Sequence, residues 1–395
     1  MVSNMVSAPS VPAKQLLELV EDLHRNIQAG QQTDVIVMDF SKAFDKVSHA
    51  RLLYKLQWYG IRGRASNWVQ NFLTGRKQQV VMEGKNSKES WVTSGVPQGS
   101  VLGPILFLIY INDLPDGVKS QVRLFADDTI LYRNILKTQD ERILQEDLRR
   151  LENWEQQWLM EFHPGKCQVI RVTRSRMPIK TKYLLHNHQL EIVPSTKYLG
   201  VTISQDLSWN KHINNVTSKA NKTLGLIKRN LKISFPKIKE LAYNSLVRPI
   251  TEYSAAVWDP YTQANIRSLE MVQRRAARWT LNRYHNVSSV TEMLDHLNWP
   301  TLQLRRSETR LCLMYKMVHD MVAIDISQYA TPVIRQTRHS HPHSFIQICS
   351  RNEAYRMSYF PRTVVAWNML PVETVLAPFM EAFKGQLVAQ RQFPA

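Results

Sequence analysis

The amino-acid sequence predicts an α+β fold, with short strands within about the first 203 residues and mainly helices from about Asp206 onward. Two patterns predict the strands. Residues 35–38 are an apolar run rich in β-branched residues, which is typical of a buried central strand. Residues 121–133 indicate two short strands joined by a turn. A third pattern predicts the helices, because apolar residues recur every three or four positions, first between Leu16 and Ile27.

The first two helices have recognisable ends in the sequence. One is expected to begin at Ser10-Val11-Pro12 and to end at Gly30, since proline is tolerated in a first turn and glycine often follows a last turn. Ser48 is a suitable N-cap for the next helix, which is expected to end at Gly60.

Later elements are predicted from glycine and proline residues, which mark loops, and from capping residues, which mark helix starts. Residues 94–103 predict a loop, followed by an apolar segment. Thr138 and Glu141 have the spacing of a capping box for a helix that carries Leu144 to Trp158 on one face. Residues 197–203 predict a further short strand.

Charge and cysteine content narrow the classes of partner. The 395 residues include 51 Lys and Arg against 33 Asp and Glu, and residues 206–285 alone hold 14 against 5. A chain this basic is expected to bind a polyanion, although basic side chains that only solvate helix faces remain an alternative. Three widely spaced cysteines indicate a reducing compartment, the nucleus or the cytoplasm or both. The apolar run 101–111 is too short to cross a membrane, so no membrane association is expected.

Three acids are candidate metal ligands. Burying a carboxylate on a strand costs free energy, and a bound divalent cation commonly compensates for that cost. Asp39 follows the run 35–38, and Asp127 and Asp128 lie at the turn of the 121–133 hairpin. If these strands are neighbours, the carboxylates converge and can hold two Mg²⁺ ions, with Mn²⁺ as a substitute, for in-line phosphoryl displacement. The alternative is that Asp127 and Asp128 simply form a hairpin turn, where aspartate is favoured.

The motifs around these acids resemble those of a known enzyme family. Asp39 to Asp45 (DFSKAFD), Ser94 to Pro104 (SGVPQGSVLGP) and Phe125 to Asp128 (FADD) resemble motifs A, B and C of reverse transcriptases in order and spacing. Tyr110 to Pro115 (YINDLP) and Phe360 to Pro371 (FPRTVVAWNMLP) are similar to segments of non-LTR retrotransposon polymerases, the LINE type of the CR1 and jockey kind.

The resemblance implies roles for individual residues in motifs A and C. Asp39, Asp127 and Asp128 match the catalytic, metal-binding acids. The main chain of Phe40 matches a metal contact beside Asp39, in the part of the site that binds the dNTP. Phe44 matches the aromatic steric gate, whose ring excludes a 2′-hydroxyl and thereby favours dNTPs over rNTPs.

Roles for three further residues follow from the same resemblance. Gln98 matches the motif B glutamine that contacts the incoming nucleotide, and Gly99, like Gly95, is expected to let the backbone approach that substrate. Lys166 matches the motif D lysine, a catalytic residue that acts on the departing pyrophosphate, with a solvated loop lysine as the alternative.

The implied architecture is a polymerase right hand. Residues 1–203 are expected to form partial fingers and a palm, with helices packed on a mainly antiparallel sheet; residues 204–285 a basic helical thumb; and residues 286–395 a helix-rich C-terminal domain. Because only 38 residues precede Asp39, most of the fingers are expected to be absent and the chain N-terminally truncated. Phosphate contacts in the thumb are expected from Lys211, Lys219, Lys222, Lys228, Arg229 and Lys232, although solvation is an equal alternative for each.

The implied function is an RNA-directed DNA polymerase that adds dNTPs to a DNA primer on an RNA template, with weak or no activity in this chain. A remnant that binds nucleic acid without synthesis is the alternative, while Phe44 and Ala126 argue against an RNA-dependent RNA polymerase. Trp209 and Trp279, in basic surroundings, are either core residues or platforms for base stacking. The sequence does not define an oligomeric state.

Overall fold

The computed structural model describes residues 11–232, 235–285, 288–334 and 341–392. Within these ranges the chain forms two compact units, unit 1 with residues 30–198 and unit 2 with residues 11–29 and 199–392. The three-part division expected from the sequence stays a prediction, and these units differ from it in grouping the first helix with the later residues.

The strands are β1 Gln32–Met38, β2 Lys77–Gln78, β3 Val81–Met82, β4 Lys85–Asn86, β5 Ser90–Trp91, β6 Gln121–Phe125, β7 Asp128–Ile135, β8 Gln168–Val172, β9 Leu184–Leu185, β10 His188–Gln189, β11 Glu191–Ile192, β12 Ser195–Tyr198 and β13 Val201–Ser204. The four strands of five or more residues, β1, β6, β7 and β8, all belong to one sheet.

Helices form the rest of unit 1 and most of unit 2. They are α1 Val11–Gln28, α2 Ala43–Lys46, α3 His49–Trp58, α4 Gly63–Leu73, α5 Leu102–Ile111, α6 Thr138–Trp158, α7 Asn210–Asn230, α8 Pro236–Ala242, α9 Arg248–Glu252, α10 Ala255–Trp258, α11 Gln263–Leu281, α12 Val290–His296, α13 Leu302–Val318, α14 Glu353–Arg356, α15 Tyr359–Asn368, α16 Val372–Val375 and α17 Met380–Gln392. A π-helical turn, Tyr243–Val247, joins α8 to α9, and a 3-10 turn spans Ile326–Gln328.

Unit 1 is organised around a five-stranded sheet in the order β11-β8-β1-β7-β6. β1 pairs antiparallel with both β7 and β8, β6 pairs antiparallel with β7, and only β11 pairs parallel, with β8. β1 is central because its apolar side chains are buried, and Ile36 and Met38 share one core with Leu144 and Leu148 of α6. The predicted α+β fold with a mainly antiparallel sheet is therefore confirmed.

Asp34 shows that a buried acid in this sheet does not require a metal. Its side chain is fully buried in β1 and accepts hydrogen bonds from the Tyr183 hydroxyl (2.9 Å) and from Gln32 Nε2 (2.9 Å). Arg171 Nε lies 3.4 Å from the same carboxylate and supplies the opposite charge. Buried Asp34 therefore needs no cation, because neighbouring side chains satisfy its carboxylate.

Several predicted element ends are confirmed, and one is wrong by a residue. α1 begins at Val11 and α3 begins directly after Ser48, although the Ser48 side chain makes no capping hydrogen bond. The capping box expected from Thr138 and Glu141 is instead made by Asp140, whose Oδ2 accepts the N–H groups of Leu136 and Lys137. Thr138 lies inside the helix as its first residue.

Unit 2 is helical and carries a buried ion cluster. Asp259 accepts from Arg306 Nε (2.8 Å) and Arg310 Nε (3.0 Å), and Arg362 Nη1 lies 3.1 Å from the same carboxylate. α1 is attached within this unit, where the Tyr355 hydroxyl donates to Glu21. Among the described residues, no helix combines the length and apolar character that crossing a bilayer requires.

Candidate active site

The strand register brings Asp39 and Asp128 to one edge of the sheet. β1 and β7 are paired up to Met38 opposite Thr129, so continuing the antiparallel register places Asp39 opposite Asp128. Side chains directly opposite one another in such a pair have Cβ atoms about 5 Å apart. Two acids that are 89 positions apart in the sequence therefore become neighbours at the end of the central strand.

Asp127 lies in the turn that precedes β7. Phe125 pairs with Asp128, so Ala126 and Asp127 form a two-residue hairpin loop. Ala126 has φ 51°, the left-handed value that a two-residue hairpin of this kind requires at its first loop position. The predicted hairpin turn is present. Because it lies beside Asp39, Asp127 and Asp128 can form this turn and also belong to a metal site.

The electrostatics at this edge show that the acids crowd one another. Burial raises the pKa of Asp128, and the negative charges of Asp127 and Asp39 raise it further, while Lys197 acts in the opposite direction. Lys166 Nζ lies 3.2 Å from Asp39 Oδ2, so a cation already faces this carboxylate. The resemblance predicts a role for Lys166 at the departing pyrophosphate, and the structure places this lysine against Asp39.

The three acids fit a hard divalent cation in their chemistry, since carboxylate oxygens are the ligands that Mg²⁺ and Mn²⁺ prefer. The mutual repulsion felt by Asp128 is the electrostatic condition that such a cation relieves. In the part of the chain that the structure describes, however, no group of three or more His, Cys, Asp or Glu side chains is already arranged to hold a metal. The ion pair from Lys166 to Asp39 is one arrangement that a bound cation would replace.

The loop 94–103 is anchored to the segment that follows Asp39. The Gly95 N–H donates to Val47 O (2.8 Å), and Gln98 Nε2 donates to Asp45 Oδ1 (3.1 Å). A Cβ on Gly95 would lie 2.8 Å from Asp45 O, and its φ of 89° is in the left-handed region, so only glycine fits. The close approach that Gly95 permits is thus to the Asp45 backbone, and it fixes Gln98 beside α2.

The three remaining motif residues lie near this anchored segment. Phe44 in α2 stacks on Phe107 with ring centroids 4.4 Å apart, which holds its ring in one orientation. The Phe40 ring is buried against Phe162 (centroids 4.1 Å), so only its main chain is available to a ligand. Gly99 has φ 80° and open space around its Cα, consistent with an exposed turn of the loop.

The basic residues predicted for the thumb divide between two faces of α7. Lys211, Lys219, Lys222 and Arg229 are exposed and fall within an arc of roughly 80° that runs for about 27 Å along the helix. The opposite face is buried and includes Ile213, Ala220 and Leu224. Lys232 is exposed beyond the end of the helix.

Lys228 differs from the other predicted contacts. It is half-buried, and burial together with the nearby positive charge of Arg275 lowers its pKa. Its position on the helix, about 100° from Arg229, directs it away from the exposed basic face. Lys228 therefore faces α11 and is a poorer phosphate ligand than its neighbours.

The exposure of the tryptophans decides between the two alternatives left open by the sequence. Trp209 and Trp279, which were candidates for base stacking, are buried and belong to the core. Trp58 and Trp68 are instead exposed, at 70% and 58%, on α3 and α4. The sequence around them carries a signal of its own, because residues 46–82 hold seven Lys and Arg and no Asp or Glu.

The match to a family model defines the class of this protein. The model of the reverse transcriptase (RNA-dependent DNA polymerase) family matches residues 2–203, about half of the chain, and this segment includes the acid edge and the anchored loop. The chain therefore belongs to the reverse transcriptase family.

Curated relatives narrow the type to non-LTR retrotransposon polymerases, as the motifs predict. The chain is 26% identical over 286 residues to a probable RNA-directed DNA polymerase from transposon X-element of Drosophila melanogaster, covering 67% of this chain and 30% of that protein. It is 27% identical over 259 residues to the RNA-directed DNA polymerase from mobile element jockey of Drosophila funebris, covering 61% and 27%. The chain thus spans about 30% of the length of these relatives.

Among solved structures, the chain is similar to telomerase from Candida albicans in complex with a fragment of telomeric RNA. The TM-score is 0.37 at 10% sequence identity, over 74% of this chain and 58% of that one.

Proposed function

We propose that this chain carries the catalytic centre of an RNA-directed DNA polymerase that extends a DNA primer with dNTPs on an RNA template. The observation that carries the proposal is the register that sets Asp39 opposite Asp128, with Asp127 in the adjoining turn. The reaction is attack of the primer 3′-hydroxyl on the α-phosphorus of the dNTP, with pyrophosphate leaving. The proposed compartment is the nucleus, the cytoplasm or both.

Asp39, Asp127 and Asp128 would hold the divalent cations, which we propose to be two Mg²⁺ ions that Mn²⁺ can replace. When bound, such ions lower the pKa of the attacking hydroxyl and neutralise charge on the triphosphate. The chain's own contribution is to position these carboxylates on a rigid central strand and a tight hairpin. Rigidity matters here because phosphoryl transfer depends mainly on positioning and electrostatics.

Two residues near the acids are proposed to bind the incoming nucleotide, and a third to act on the departing pyrophosphate. The Phe44 ring, fixed by its stacking on Phe107, would lie beneath the sugar and exclude a 2′-hydroxyl. Gln98, held through Asp45, would contact the base and sugar of the dNTP. Lys166 would exchange its ion pair with Asp39 for the departing pyrophosphate, to which it can give a proton.

The exposed basic face of α7 is proposed to follow a nucleic-acid backbone. Lys211, Lys219, Lys222 and Arg229 form a stripe on this face, and contacts of this kind bind phosphates without regard to sequence. The affinity is therefore expected to fall steeply with salt, with a slope set by the number of phosphates neutralised.

Primer extension on an RNA template with dNTPs and Mg²⁺ tests the proposal. We expect weak but measurable extension by the wild-type chain and a loss of more than about a hundredfold in Asp127→Asn, since replacing even an outer-shell partner of a metal site costs 10- to 100-fold. Asp116→Asn, at an exposed aspartate in the loop after α5, is the matched control and should keep wild-type activity. Extension that survives Asp127→Asn would contradict the proposed site.

Binding of nucleic acid without synthesis is the second candidate function. The observation that favours it is the basic face of α7, which does not depend on the acids. Retention of RNA on the wild-type chain, together with no extension at any Mg²⁺ or Mn²⁺ concentration, would support this function in place of the first.

A further inference from the structure

An open cleft lies between α3 and α4 of unit 1, and its lining residues lie in sequence between motifs A and B. It has a volume of about 300 Å³, and its lining includes Tyr54, Gln57, Trp58, Arg62 and Asn67. This volume is at the lower end of the range for small-molecule sites in proteins. The cleft can therefore accommodate a single planar ring system on its aromatic wall.

The aromatic wall is exposed and held in place. Trp58 is 70% exposed and Tyr54 is 65% exposed, although large aromatic side chains usually bury most of their surface. Trp58 meets the ring of Tyr59 edge to face, with centroids 4.9 Å apart, and the Tyr59 hydroxyl accepts a hydrogen bond from Asn112. The wall is thus preorganised by its neighbours, and its apolar surface faces solvent.

The polar part of the lining has the chemistry of nucleobase recognition. The side-chain amides of Gln57 and Asn67 each offer two donors and one acceptor group, which match the hydrogen-bonding edges of an unpaired base. Arg62 Nε donates to Gln57 O (3.1 Å), so the guanidinium is anchored at the rim of the cleft. An apolar peptide would leave these amides without matching partners.

The charge around the cleft favours a polyanion. Residues 46–82, which include both helices, contain seven Lys and Arg and no Asp or Glu. Three of the seven, Lys46, Lys55 and Lys77, are paired with acids outside this stretch. Arg62, which lines the cleft, and Arg64 are exposed. This stretch stands out because the first 128 residues as a whole are nearly neutral, with 14 basic and 12 acidic residues. Aromatic rings within a basic surface are the usual combination in proteins that bind single-stranded nucleic acid.

We propose that this cleft binds one unpaired nucleobase of a single-stranded RNA or DNA, stacked on Trp58 and Tyr54, with Arg62 at the adjacent phosphate. The site is separate in sequence from the acids and needs neither a divalent cation nor a dNTP. Its test therefore uses binding alone, so that its failure can be distinguished from failure of the polymerase proposal.

The experiment measures fluorescence anisotropy of a labelled 12-nucleotide uridine oligomer with the full chain in EDTA. Trp58→Ala is expected to weaken binding roughly tenfold, within the range for loss of one stacked base, and Tyr54→Ala to weaken it less. Trp68→Ala is the matched control, because Trp68 is an exposed tryptophan of α4 that does not line the cleft. It should leave the affinity unchanged.

Two further readouts separate stacking from a general loss of charge or fold. Trp58→Phe keeps a ring and should restore most of the affinity, and Trp58→Ala should leave the salt slope of binding unchanged, whereas Arg62→Gln should reduce that slope by about one. A duplex of the same length, whose bases are paired, should bind both tryptophan variants like wild type.

Three results would overturn the proposal. The first is no binding of the oligomer by the wild-type chain at low salt. The second is equal affinity in wild type and Trp58→Ala. The third is an equal loss of affinity in Trp58→Ala and Trp68→Ala, which would show that exposed tryptophans bind the oligomer non-specifically.

Discussion

Replacement of Asp128 by asparagine should stabilise the protein when no divalent cation is present. Asp128 is opposite Asp39 and next to Asp127, and both negative charges raise its pKa on top of the effect of burial. Two unit charges about 5 Å apart repel by roughly 1 kcal/mol in water and roughly 3 kcal/mol at an effective dielectric constant of 20. Because the carboxylates are partly exposed, the lower figure of about 1 kcal/mol is the expected gain, since asparagine keeps the shape and removes the charge.

The pH dependence of this gain follows from the direction of the pKa shift. A carboxyl group whose folded pKa is raised destabilises the fold as pH rises through its titration range, because the unfolded chain releases the proton more easily. The advantage of Asp128→Asn should therefore be full at pH 7.5 and vanish at acidic pH, where Asp128 is protonated in both states.

Thermal unfolding measured by circular dichroism in EDTA at pH 7.5 is the assay. A gain of about 1 kcal/mol corresponds to a rise in Tm of about 2–4 °C for a unit of this size. Mg²⁺ should then raise the Tm of the wild type, since a cation that binds only the folded state stabilises it by mass action, and should raise that of Asp128→Asn less. A lower Tm for Asp128→Asn in EDTA, or an equal response to Mg²⁺, would refute the electrostatic argument.

Three other perturbations have defined outcomes. Gly95→Ala should lower the Tm and abolish extension, because its Cβ would lie 2.8 Å from Asp45 O at φ 89°, whereas Gly99→Ala, with open space, should cost less. Phe44→Val should raise incorporation of rNTPs relative to dNTPs by roughly tenfold in competition assays, the scale of one relieved steric clash. Burial lowers the pKa of His212 to about 4, so acid should favour the unfolded chain by an amount of the order of 3 kcal/mol. Urea titrations should therefore find a smaller loss of stability between pH 6.5 and 4 in His212→Asn than in the wild type.

The acid edge could be predicted from the sequence because it depends on local patterns that point to the same geometry. The apolar run of β1 ends at Asp39, and the hairpin that carries Asp127 and Asp128 has strands of the right length to pair with it. Pairing of β1 with β7 is then the simplest way to bury the apolar side chains of both strands. The register of the pair follows, because a shift by one residue would turn the apolar faces away from the core.

Other features could not be predicted because they depend on contacts that are distant in the sequence. Asp34 is satisfied by Arg171 and Tyr183, which lie well over a hundred positions away, so a local rule about buried acids fails there. The same holds for Trp209 and Trp279, whose basic surroundings in the sequence do not reveal that both rings are buried. Exposure is decided by tertiary packing, which a pattern of residue types describes only in part.

The central claim is that carboxylates from β1 and from the 127–128 turn hold the same divalent cations. Anomalous X-ray scattering from crystals of the chain soaked in Mn²⁺ tests this claim most directly. The account predicts at least one peak at a bonding distance of about 2.2 Å from oxygens of both Asp39 and the Asp127-Asp128 pair. Manganese bound only by one of these two segments, or absent from this edge of the sheet at saturating concentration, would contradict it.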